Sequence, residues 1–181
     1  MTYHQKIILK NGKTAVLRNG TPADAEAALE NFNLTHGETD DLLSYPDENS
    51  LTAAQEGAFL AEKTASKNEI EIIALVDGQI VGMAGIEALG TNYKVCHRAE
   101  FGIAIAKAYW GLGLGTAMTE ACIACARQAG YRQLELNVVA GNEHASALYR
   151  KCGFVEYGRN PRGFNSRISG YQELVYMRLE L

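Results

Sequence analysis

Residues 109–116 read Tyr109-Trp110-Gly111-Leu112-Gly113-Leu114-Gly115-Thr116, and the reading of these eight residues decides the fold. Before them runs KVCHRAEFGIAIA, β-rich and ending in alternating apolar residues. After them runs an alanine-rich stretch to about Gln128 whose apolar positions recur at helical spacing. The glycines at 111, 113 and 115 therefore break a strand and open a helix. Alternating glycines at such a junction let backbone N–H groups converge, with the positive end of the helix behind them, which makes a cradle for phosphate oxygens. Spacing narrows the ligand. A dinucleotide fingerprint needs glycine at 116 or 118, where Thr116 and Met118 stand, and a Walker loop needs lysine before Thr116, where Gly115 stands. The alternative, glycines serving only a tight turn, needs no ligand at all.

Working outward, Asp77-Gly78 separates EIEIIALV from QIVGMAGIEAL, a strong hairpin signal, and the run before the glycines completes a meander. Upstream, residues 14–18 read as an opening strand. Thr21-Pro22 then starts a helix to about His36, a proline-bearing loop follows, and a second helix spans about Leu51 to Ser66. Downstream, Leu134, Leu136 and Val138 alternate as a strand, and Asn142 to Cys152 forms a short helix stopped by Gly153. Phe154–Tyr157 and Glu173–Leu179 close the chain as strands. The order predicts a mixed α/β sheet with a crossover helix at its middle. A length of 181 residues with 47% hydrophobic and 21% charged residues suits one domain, 1–181, with its core at about 14–180.

Several functions are disfavoured. No apolar run reaches membrane-spanning length, and the N-terminus lacks a secretory signal, so the expected place is the cytoplasm with no membrane partner. A net charge of −4 argues against nucleic acid. Cys96, Cys122, Cys125 and Cys152 make no disulfide framework. Cys122 and Cys125 spell C-x-x-C inside an apolar helix without a second ligand pair, so they read as core residues and no metal is expected. The charge is segregated: between Arg18 and Lys63 stand ten acids and no lysine or arginine, whereas Arg127 to Arg167 carries seven basic residues against three acids. The two ends are thus suited to ligands of opposite charge.

Trp110-Gly111-Leu112-Gly113-Leu114-Gly115 resembles the pyrophosphate loop of the GNAT N-acetyltransferase family, in which Gln or Arg is followed by two residues, Gly, one residue, and Gly or Ala. Gly113 and Gly115 match, while Trp110 departs from Gln or Arg. Asn142-Glu143-His144-Ala145-Ser146-Ala147-Leu148-Tyr149-Arg150-Lys151-Cys152-Gly153-Phe154 resembles the family's second signature, N-x-x-A-x-x-L-Y-x-x-x-G-F, at all six specified positions. The resemblance implies an α/β fold with a mixed, mostly antiparallel sheet of about seven strands and about four helices. It also implies an acetyltransferase using acetyl-CoA as co-substrate.

The roles that the resemblance implies fall on particular residues. Backbone and side-chain contacts to acetyl-CoA fall on Ile103, Ala104, Ile105, Trp110, Gly111, Leu112, Gly113, Leu114, Gly115, Thr116, Asn142, Ala145 and Tyr149. Glu100 is the base acting through water, and Tyr149 is the acid that protonates the leaving thiolate. His97 is a weaker base candidate, and Arg150 and Lys151 are candidates to steer the phosphates. The acceptor side would be the acidic N-terminal region, with Glu38, Asp40, Asp41, Asp47 and Glu48 attracting a cationic primary amine such as a polyamine, aminoglycoside or amino-acid derivative. Protein or peptide N-acetylation is the alternative, as is a non-catalytic module that senses acyl-CoA. Homodimers are common in the family, and no stripe in this sequence identifies an interface.

Overall fold

The computed structural model describes residues 1–181. Eight strands form one sheet: β1 (His4–Ile8), β2 (Thr14–Asn19), β3 (Ile70–Val76), β4 (Gln79–Ala88), β5 (Arg98–Ile105), β6 (Gln133–Val139), β7 (Val155–Ser166) and β8 (Gly170–Glu180). They lie in the order β1-β2-β3-β4-β5-β6-β8-β7. Four α-helices accompany them: α1 (Ala25–Glu38), α2 (Ala53–Ala65), α3 (Leu114–Gln128) and α4 (Glu143–Lys151). The strand beyond the seven expected is β1, an edge strand whose exposed pattern carries no buried alternation. The closing strands also run longer than expected. β7 contains Pro161, which the outer edge tolerates because no ladder partner needs its missing N–H, and its register shifts between Asn160 and Phe164.

Asp77 and Gly78 occupy the β3–β4 turn with φ of 51° and 82°, the left-handed pair that a two-residue hairpin requires. Two layers then pack on the sheet. α3 buries Leu114, Met118, Ala121, Cys122 and Cys125 against Ile70, Ile72, Ala74, Ile86 and Phe101, so both C-x-x-C thiols are core residues, and all four cysteines are free. On the other face α2 seats the fully buried Leu60 near Ile73. Arg18 clamps the entry to α1: it donates to both carboxylate oxygens of Asp24 at 2.8 Å. Asp24 in turn accepts from the Thr21 N–H and hydroxyl.

The shortest joint of the sheet lies between β5 and β6. It is the sheet's single parallel pairing, and it lasts three residues, Arg98–Glu100 against Gln133–Glu135. β5 then stays with β4 as far as Ile105 while β6 follows β8 to Val139, so the two diverge. Helices α3 and α4 start at the two sides of the gap. No helix is long and apolar enough to cross a membrane.

Candidate active site

A cavity of about 990 Å³ runs from the glycine turn through the β5–β6 gap to the space beneath α1 and α2. Its first end is a ring of idle donors. Gly111 and Gly113 take φ of 73° and 91°, and α3 begins at Leu114. From Gly111 to Thr116 none of the backbone N–H groups donates to a carbonyl, the first helical bond being Ala117 N–H to Gly113 O. Six consecutive unpaired amides at a helix N-terminus form an anion site. Lys10, whose N–H donates to Leu112 O, and Lys151 border this end, whereas Arg150 is not among the lining residues. Trp110, 41% exposed, turns its indole back and donates from Nε1 to Ile105 O at 2.7 Å. It therefore braces the turn instead of reaching outward as a Gln or Arg would.

The middle of the cavity is the gap itself. Ala106 N–H donates to Val81 O, so antiparallel alternation turns Ala104 toward Met83. Ile103 and Ile105 then present N–H groups on the side that β6 has left. Across the gap Tyr149 projects from α4. It is 9% exposed and packs edge-on with Phe101 and Phe154 at ring separations of 6.2 and 6.0 Å. Burial pushes its phenol up to about 12, so it stays protonated at neutral pH. Asn142 caps α4 by accepting from the Ala145 N–H at 3.0 Å, and its Nδ2 donates to Asp41 Oδ2 at 3.0 Å. Both polar ends of Asn142 are thus used within the chain, as is the amide of Ala145.

Glu100 lies where the strands part. Its Oε1 accepts from Asn137 Nδ2 at 3.2 Å, while Arg98 pairs with Glu135 instead. Burial first, then the charges of Glu87 and Glu135, raise the Glu100 carboxyl above its ordinary value. His97 is exposed and outside the cavity, its carbonyl serving Arg132 and Gln133.

The acceptor end overturns one expectation. Of the five acids expected to draw the acceptor, Asp41 alone borders the cavity. Asp40 accepts from Tyr45, Ser166 and Ser169, Asp47 and Glu48 pair with Arg167, and Glu38 accepts from the Lys107 N–H. These groups fasten the 39–52 segment to the β7–β8 hairpin and to the start of the glycine turn. Four further carboxylates line the cavity: Glu56, Glu71, Glu87 and Glu100. The strand alternation Glu-Ile-Glu-Ile at 69–72 was the available signal for Glu71, since period two puts both acids on the face opposite the isoleucines.

Residues 33–154 match the family model described as "Acetyltransferase (GNAT) family". The chain is 36% identical over 121 residues to the Bacillus subtilis protein named "Putative ribosomal N-acetyltransferase YdaF", a match covering 64% of this chain and 61% of that one. It therefore spans less than two thirds of that relative. A Streptococcus pneumoniae acetyltransferase of the GNAT family superposes with a TM-score of 0.88 at 31% identity, covering 92% of this chain and 99% of that one. A phosphinothricin acetyltransferase from Sinorhizobium meliloti in complex with AcCoA shares the fold, with a TM-score of 0.80 at 19% identity over 92% and 88% of the chains. The glycine turn, the parted strands and the matched span agree: the chain belongs to the acetyltransferase (GNAT) family.

Proposed function

We propose that the protein transfers an acetyl group from acetyl-CoA to the primary amine of a small cationic acceptor. The observation that carries this is the polarity of one continuous cavity: six idle amides with Lys10 and Lys151 at one end, four carboxylates at the other, and the parted strands between. The donor set fits acetyl-CoA. Free amides and lysines answer a pyrophosphate, and the N–H groups of Ile103 and Ile105 answer an amide-bearing arm laid along β5 in place of a strand. The AcCoA complex of the Sinorhizobium relative supports the same ligand here.

In the proposed reaction Glu100 receives, through water, the proton that the ammonium must lose before attack. Its raised pKa narrows the gap between the two groups. An amide of β5 polarises the thioester carbonyl as the amine nitrogen bonds to it. The carbon–sulfur bond then breaks, Tyr149 gives its proton to the departing thiolate, and the surplus proton of the newly bonded nitrogen restores the phenol through water. The Tyr149 hydroxyl donates to no group of the chain, which leaves it free for that sulfur. Free thiols throughout, Cys96 exposed, suit the reducing cytoplasm.

A second reading, acetylation of a ribosomal-protein N-terminus, draws on the name of the Bacillus relative. Release of CoA thiol, measured across small amines, amino acids, aminoglycosides and N-terminal peptides, decides between them. We expect turnover of small cationic amines and a fall of about 10²–10⁴ in kcat/KM for Glu100→Gln. Turnover of peptides alone would favour the second reading, and turnover of nothing would leave an acyl-CoA sensor.

A further inference from the structure

Beneath α2, the cavity ends in two acids, Glu56 and Glu71, that form no ion pair within the chain. β3, β4 and β5 run in register here, with Glu71 opposite Gly85 and Gly85 opposite Gly102. A Cβ at Gly85 would lie 2.2 Å from Glu71 Oε2, so the carboxylate rests directly on the glycine backbone. Nothing stands within 4 Å of the Cβ position of Gly102. Two glycines thus floor a trough that starts at Glu71 and opens toward Glu100.

Glu56 closes this trough from above. It lies on the buried stripe of α2 with Leu60 and Lys63, is 6% exposed, and borders the cavity. Neither Glu56 nor Glu71 has a hydrogen-bond partner for its carboxylate. The one lysine nearby is committed elsewhere, since Lys63 Nζ stands 2.8 Å from Glu69 and 2.7 Å from Glu87. Burial, then the charges of Glu56 and Glu87, push Glu71 up to about 8, with Lys63 acting weakly against them. Unpaired, Glu71 thus holds its proton at neutral pH, and a cation that enters the cavity beside it and Glu56 favours the ionised form of both acids.

We infer that Glu71 and Glu56 form a second ammonium subsite, and that the acceptor is a diamine: one nitrogen is acetylated beside Glu100 while the other is held over Gly85. Glu100 and Gly85 are diagonal neighbours across β5 and β4, their backbone positions roughly 7–8 Å apart, a span suited to a diamine of four or five carbons. The inference rests on the acetyltransferase reading and adds the acceptor's second charge to it.

The test compares butane- and pentane-diamine with butylamine and pentylamine as acceptors, using wild type, Glu71→Gln and Glu56→Gln. Wild type is expected to prefer each diamine by about tenfold or more in kcat/KM, and the ratio is expected to fall toward one in both variants. Equal use of diamine and monoamine by wild type overturns the subsite while leaving acetyl transfer standing. So does an undiminished ratio in both variants. Should no amine be turned over, calorimetry of diamine binding to the CoA-saturated protein still decides. Binding weakened about tenfold by Glu71→Gln supports the subsite, and binding that is absent or unchanged overturns it.

Discussion

In the proposed reaction Tyr149 serves two purposes. Its ring belongs to an aromatic cluster with Phe101 and Phe154, and its hydroxyl opens toward the gap between β5 and β6. A Phe in its place keeps the ring and loses only the proton. Tyr149→Phe should therefore bind acetyl-CoA as wild type does, keep its melting temperature within a few degrees, and lose about 10²–10⁴ in kcat. Stopped-flow release of CoA thiol beside calorimetric CoA binding measures both. Because burial holds the phenol near 12, the wild-type rate should show no alkaline decline from this residue below about pH 10. The place of Tyr149 beside the gap was legible from its signature. Glu71 and Glu56 were not, because neither sits in a motif, and their meeting depends on the β3–β4 register and on which side of α2 faces the sheet.

At the scale of elements, the glycine turn that interrupts the chain after β5 is stiff in a particular sense. Gly113 caps α3 in the left-handed conformation, with open space around its Cβ position. Alanine there would meet no side chain, yet would pay about 1–2 kcal/mol of backbone strain and would intrude on the amide ring. Gly113→Ala should raise the KM for acetyl-CoA about tenfold or more with a smaller effect on kcat, measured by steady-state kinetics with saturating amine. Elements set by local chemistry were readable from the residues: the Asp77-Gly78 hairpin, α3 to Gln128 and the Asn142 cap. β1 was not, since its exposed edge carries no alternation, and neither was the length of β7, whose largely exposed residues show no alternation and whose register shifts between Asn160 and Phe164.

At the scale of the whole molecule, the acidic segment between α1 and α2 proved to be tethered instead of receptive. Arg167, at the tip of the β7–β8 hairpin, donates to both oxygens of Asp47 at 2.8 Å and lies 4.4 Å over the ring of Tyr45. These partners are some 120 residues apart in sequence, which is why clustered charge at 38–48 could not be told from a binding face. The tether spans exposed surface, so its loss should hardly move the melting temperature. The segment also carries Thr39, Leu42, Leu43 and Leu51 into the cavity wall. Arg167→Ala should accordingly speed amide exchange across residues 40–50 and raise the acceptor KM several-fold, with the KM for acetyl-CoA unchanged.

The three-residue joint between β5 and β6 has a mechanical meaning as well. Five strands lie on one side of it and three on the other, and the backbone bonds that weld the sheet across that line are confined to His97–Glu100 and Arg132–Glu135. A sheet so divided is weakest along the line where acetyl-CoA is proposed to bind. An arm paired to Ile103 and Ile105 would act as a rivet, stitching the two leaves into one continuous fabric. Occupancy of the cavity and rigidity of the scaffold would then rise and fall together.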